Sequence, residues 1–136
     1  MAVKKEFTYR GKSVEELLCM SIEDFAKIAN SRARRSLKRG FNPQLIKRIE
    51  KAMALKAAGK LDLKPIRTHL RDTIIIPKMI GLKFGVYKGN SFETIEIMPQ
   101  MLGHYLGEMV LTRKKLVHGK AGIGATKSST AITARG

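Results

Sequence analysis

The sequence predicts an α+β fold: a small three-stranded mixed or antiparallel sheet under a helix layer, with a helical N-terminal extension and an extended basic C-terminal tail. Three observations predict it. Thr73–Ile76, Leu82–Tyr87 and Phe92–Ile97 are short runs rich in Ile, Val, Phe and Tyr, each closed by a nearby Pro or Gly, which is how short strands joined by turns read. Upstream of them, polar capping residues precede apolar runs of helical period. Downstream, residues 113–136 hold six basic and no acidic side chains in a Gly-, Ala-, Ser- and Thr-rich stretch without an apolar period. The expected division is therefore 1–64 as a basic helical extension, 65–113 as the sheet-containing core, and 114–136 as the tail.

Met1–Arg10 reads as a polar leader with little order of its own. Ser13 with Glu16 spells S-x-x-E, a helix-start signal in which side chains satisfy backbone donors left free at the first turn. Ser21 with Asp24 repeats it, and the spacing predicts one helix from Ile22 through SRARRSLKR to a stop at Gly40. Asn42-Pro43 opens another, since Asn caps well and Pro suits the first helical position. Its stripe of Leu45, Ile46, Ile49 and Met53 is packing surface, and Gly59 ends it. Leu61–Pro65 is a connector, because the residue before a proline is pushed out of helical space. Within the core, Pro77 stops the first predicted strand or confines it to an edge. Tyr87-Lys88-Gly89-Asn90 is a hairpin turn, and Pro99 opens one helical turn ending at Gly103.

Charge narrows the function. The 136 residues carry a formal net charge of +16, from 27 Lys and Arg against 11 Asp and Glu. Residues 1–31 are net neutral, 32–60 are +9, 61–112 are +1 and 113–136 are +6. Two cationic segments thus flank a nearly neutral core. Such charge repels itself in a free chain, so a polyanionic partner is expected, nucleic acid before a membrane surface, because neither segment pairs its cations with a broad apolar face. Nothing approaches the ~20 consecutive apolar residues of a membrane span. No apolar signal segment follows the first lysines, and Cys19 is the one cysteine. A soluble protein of a reducing intracellular compartment is expected.

Several ordered segments together resemble the ribosomal protein S-nineteen family of the small subunit, in its archaeal and eukaryotic branch. They are T-H-L-R-D at Thr68–Asp72, I-I-P-x-M-x-G at Ile75–Gly81, V-Y-x-G at Val86–Gly89, M-x-G-H-Y-L-G-E at Met101–Glu108, and H-G-x-x-G-I-G-A-T-x-S-S at His118–Ser129. Y-R-G at Tyr9–Gly11 and S-R-x-R-R at Ser31–Arg35 agree with the same branch. Two departures stand out: the order Lys88-Gly89-Asn90, where the family has Asn before the Gly, and Thr130-Ala131 where it has Arg-Phe. The resemblance implies a non-catalytic constituent of the small ribosomal subunit in the cytoplasm. It implies a place in the head of that subunit, binding to the 3′ major domain of the ribosomal RNA, and a neighbour in ribosomal protein S-thirteen. It also implies a tail directed toward the decoding region and the transfer RNAs, which on this chain is Gly122, Gly124, Thr126, Lys127, Ser128 and Ser129.

Residue chemistry supplies the expected RNA contacts. Arg32, Arg34, Arg35, Lys38 and Arg39 put five cations into eight residues without an acid, more than complementing a helix dipole requires. Arg67, His69 and Arg71 alternate along a predicted extended segment and so project to one side. Arg113, Lys114, Lys115, His118 and Lys120 leave the core as a clamp, followed by glycines that let a chain run close to RNA. Lys78, Lys83 and His104 complete the expected contacts. Structured RNA presents phosphates and 2′-hydroxyls more readily than base edges, which suits many cations on a shaped surface.

Other chemistries fit poorly. His69, His104 and His118 show no H-x-x-x-H spacing and no nearby Cys, so no metal is expected. Gly119–Gly124 with Lys127-Ser128 lacks phosphate-loop spacing, and Gly122-Ile123-Gly124 is too little for a dinucleotide fingerprint. Glu93, Glu96 and Glu108 have no evident common pocket. Neither an enzyme nor a cofactor is expected. The charge map alone also admits a free-standing basic nucleic-acid-binding regulator.

Overall fold

The structure is a computed structural model that describes residues 7–59, 63–114 and 116–117. Chain order is β1 (Thr8–Tyr9), β2 (Lys12–Ser13), α1 (Val14–Cys19), α2 (Ile22–Ile28), α3 (Ser31–Arg39), α4 (Pro43–Ala57), β3 (Ile66–Thr68), β4 (Lys83–Tyr87) and β5 (Phe92–Glu96). Three single 3-10 turns sit at Pro77–Met79, Pro99–Met101 and Leu106–Glu108. The fold is α+β, as the sequence indicates.

Helix starts follow local cap chemistry. Ser13 Oγ accepts from the Glu16 amide at 3.3 Å, and Ser21 Oγ from the Asp24 amide at 3.1 Å. Asn42 Oδ1 accepts from Gln44, with Pro43 in the first turn of α4. One prediction fails here. The helix expected from Ile22 to Arg39 is two helices, because Ala29 and Asn30 take extended backbone angles and Asn30 Oδ1 accepts from the Ala33 amide at 2.8 Å. A third polar cap thus outcompetes the continuing apolar period. The leader also differs from expectation over Thr8–Tyr9. It pairs antiparallel with Lys12–Ser13 through a tight turn in which Arg10 (φ 52°) and Gly11 (φ 81°) are both left-handed, the geometry favoured by a two-residue hairpin. The Tyr9 ring then packs 5.7 Å from Phe25.

The main sheet is mixed, in the order β3-β4-β5. β3 is parallel to β4, with Ile66 opposite Phe84, and β5 is antiparallel to β4, with Tyr87 opposite Phe92. Its first strand is therefore Ile66–Thr68 and not the predicted Thr73–Ile76. That second run is buried from Ile74 to Ile76, but its backbone is satisfied by the 103–106 loop: Ile75 N donates to His104 O, Gly103 N to Ile75 O and Leu106 N to Thr73 O. Only an isolated bridge, Ile74 to Tyr105, is ladder-like.

One apolar cluster runs from Leu17 to Val110, joining the helices to the inner sheet face. Leu17, Phe25, Leu45 and Ile49 from the helices bury with Phe84, Val86 and Ile97. Each such side chain contributes ~1.5–3 kcal/mol against leaving it in water. The core stops abruptly after Val110, 1 % exposed, since Leu111 is 77 % exposed. Among the described residues no helix is long and apolar enough to cross a membrane.

Candidate nucleic-acid interface

Helical spacing sorts the five cations of α3. Arg32, Arg35 and Arg39 recur at intervals of three and four and share one face. They form one wall of an open cleft of about 800 Å³ whose other wall is Leu70–Ile74 with Tyr105. Ser36 and Tyr105 hydroxyls meet across it at 3.4 Å. Among the described residues Asp72 is the one acid along this cleft. Arg34 and Lys38 lie on another face, beside the apolar groove between α2 and α3. Arg34 is turned back onto the C-terminus of α2, donating to the carbonyls of Ala26 (3.1 Å), Lys27 (2.9 Å) and Ala29 (3.2 Å). It therefore caps a helix, satisfying carbonyls that lack intrahelical partners.

A smaller cleft of about 180 Å³ carries Arg48, Arg67 and His69, and it shares Asn42 and Leu70 with the first. The cationic surface is thus continuous from α3 across the start of α4 to the end of β3. Arg48, whose Nη1 donates to Arg67 O at 3.2 Å, was absent from the sequence-based contacts. Its only signal was a position off the apolar stripe of α4.

Arg71 does not project beside Arg67 and His69. Thr68 Oγ1 accepts from the Leu70 amide and turns the chain as β3 ends, which breaks the alternation. Arg71 is half-buried. Its Nη1 donates to Tyr87 O at 2.6 Å, and its Nη2 to Gly107 O at 2.7 Å and Val110 O at 2.6 Å. Those bonds lock the β4 end to the 107–110 loop.

The remaining positions are dispersed. Lys78 is exposed on the Pro77–Met79 turn, and Lys83 is exposed opposite Glu96; neither lines the main cleft. Arg113 and Lys114 border a depression of about 460 Å³ with the β4–β5 turn. His104 Nδ1 lies 2.6 Å from Glu108 Oε2. That bond, first among the causes, holds the Glu108 carboxyl below the usual carboxylate range. Lys115, His118, Lys120, Gly122, Gly124, Thr126, Lys127, Ser128 and Ser129 lie outside the described residues. Among the described residues no three His, Cys, Asp or Glu side chains are grouped to hold a metal ion.

The sequence profile described as "Ribosomal protein S19" matches residues 35–118. The chain belongs to the ribosomal protein S19 family. It is 47 % identical over 97 % of its length to the small ribosomal subunit protein uS19 of Metallosphaera sedula, covering 94 % of that protein. Over the same shares it is 46 % identical to the uS19 of Saccharolobus solfataricus. Membership makes this chain a structural, non-enzymatic constituent of the small ribosomal subunit, located in the cytoplasmic ribosome. Its cationic clefts accordingly belong to a ribonucleoprotein component.

Proposed function

We propose that this protein binds the 3′ major (head) domain of small-subunit ribosomal RNA through the continuous basic surface from Arg32 to Arg67. The observation that carries the reading is the junction of the two clefts at Asn42 and Leu70, which aligns Arg32, Arg35, Arg39, Arg48 and Arg67 along one track. Guanidinium groups suit phosphate because two parallel donors fix orientation as well as sign. Lys78, Lys83, Arg113 and Lys114 supply further cations around it. Residues 1–64 then act as the helical part that carries most of the track, 65–113 as the sheet scaffold that completes it with Arg67, and 114–136 as a tail reaching toward the decoding region and transfer RNA. Ribosomal protein S-thirteen is the proposed neighbour; this and the tail's direction rest on the family resemblance.

Replacing Arg32, Arg35 and Arg39 together by Ala tests the track, with binding to a head-domain transcript measured across salt concentrations. Each lost phosphate contact is expected to flatten the log–log salt slope by ~0.7–0.9. Lys27→Ala, which removes a cation paired with Asp24 on α2, should leave the slope nearly unchanged. An unaltered affinity in the triple variant would return α3 to a merely solvated face.

A further inference from the structure

The outer face of the sheet holds aromatic rings that the phosphate track does not use. Register places Arg67, Gly85 and Thr94 side by side. Tyr87 and Phe92 face each other two residues further along, and Lys83 opposes Glu96 at the other end. A Cβ at Gly85 would stand 3.3 Å from Arg67 Cγ and 3.8 Å from Phe92 Cβ. The missing side chain lets Arg67 lie across the sheet, its guanidinium carbon 5.6 Å from the Phe92 centroid. His69 closes the group, 4.4 Å from the Tyr87 ring and 5.0 Å from Phe92, which itself lies 5.2 Å from Tyr87. The Tyr87 hydroxyl donates to Gly89 O and ties its ring to the hairpin turn.

This group is not core. Phe84 and Val86 fill the opposite face of β4 and are fully buried, whereas Tyr87 and Phe92 are half-buried and His69 is exposed. A ring held by its neighbours with an open side is a surface on which a nucleobase stacks, whatever the base, since every base has a π-face. His69 also lines the small cleft with Arg48 and Arg67, so cations for the flanking phosphates stand beside the ring. Folded RNA offers such bases where loops and bulges leave them unstacked.

We propose that one unpaired RNA base stacks on His69 at the edge of the Tyr87–Phe92 pair, with Arg67 and Arg48 holding the adjacent phosphates. The proposal rests on the reading of the basic surface as an RNA track and adds to it a place for a base.

The test measures binding of the full chain to an eight-nucleotide oligouridylate and to the same strand made abasic throughout, at moderate salt. The wild type should prefer the base-bearing strand by about tenfold, within the stacking range for aromatic platforms. His69→Ala should lose ~5- to 10-fold on that strand and nothing on the abasic one, while the Arg32, Arg35 and Arg39 triple variant loses affinity for both equally. Phe92→Leu serves as a second variant of similar expected direction, and unfolding midpoints of both establish that they fold. Equal wild-type affinity for the two strands overturns the base site and leaves the phosphate track standing. Failure to bind either strand at low salt overturns both readings.

Discussion

Replacing Arg71 separates an internal fastener from an RNA ligand. Its guanidinium makes three charge-assisted bonds of 2.6–2.7 Å to the carbonyls of Tyr87, Gly107 and Val110. Hydrogen bonds to a charged group are each worth ~1.5–3 kcal/mol. The site is half-buried, so the released carbonyls recover some water, and bonds sharing one side chain do not add fully. Arg71→Met, which keeps the packed stem, is therefore expected to destabilise the protein by ~2–4 kcal/mol. Arg71→Lys should recover only ~1 kcal/mol, because one ammonium cannot reach three diverging carbonyls. Urea unfolding followed by circular dichroism reads this as a lower midpoint at constant slope. If Arg71→Met kept its stability within ~0.5 kcal/mol while affinity for the head-domain transcript fell, the side chain would be an RNA ligand and the fastening role would be wrong.

Gly107→Ala should destabilise by ~1–3 kcal/mol in the same assay, since an added Cβ would stand 3.0 Å from both Arg71 Cβ and the Arg71 carbonyl oxygen. Arg34→Ala should cost about 1 kcal/mol through loss of the α2 cap and leave RNA affinity nearly unchanged, whereas Arg35→Ala should do the reverse. Glu108→Gln tests the pair with His104. The folded Glu108 carboxyl is depressed from 4.5 by that hydrogen bond, so its contribution is present above pH ~4.5 and is lost as pH falls through the lower folded value. Both groups are about half exposed, which limits the effect to less than ~1 kcal/mol. The unfolding midpoints of wild type and variant should converge in that acid window, and a gap that widened there would refute the assignment.

Features set by a few neighbouring atoms were legible in the sequence. Ser13, Ser21 and Asn42 announce helix starts because capping needs only the next two or three amides, and the Lys88–Asn90 turn follows from Gly89 (φ 111°). The same chemistry at Asn30 was masked by an apolar period that runs on through Ala33 and Leu37. Thr73–Ile76 looks more like a strand than Ile66–Thr68 does. The choice between them is made by distant partners, the Gly103–Leu106 loop for one and β4 for the other. Within the interface, charge density located α3, but periodicity was needed to separate Arg32, Arg35 and Arg39 from Arg34. Arg71 is separated from Arg67 by the turn that Thr68 Oγ1 makes with the Leu70 amide, and its role is fixed by the distant carbonyls of Tyr87, Gly107 and Val110.

The parallel pairing of β3 has a kinetic consequence. β4 and β5 are joined by a short turn and can zip within ~1–10 μs, whereas a parallel neighbour must wait for its crossover to close. That crossover, His69 to Leu82, contains the buried Ile74–Ile76 run. Arg67 and His69 are therefore expected to be the last of the sheet's cations and rings to acquire fixed positions. Truncating Ile66 to Ala should quicken unfolding and barely slow folding, the signature of a strand that docks after the barrier.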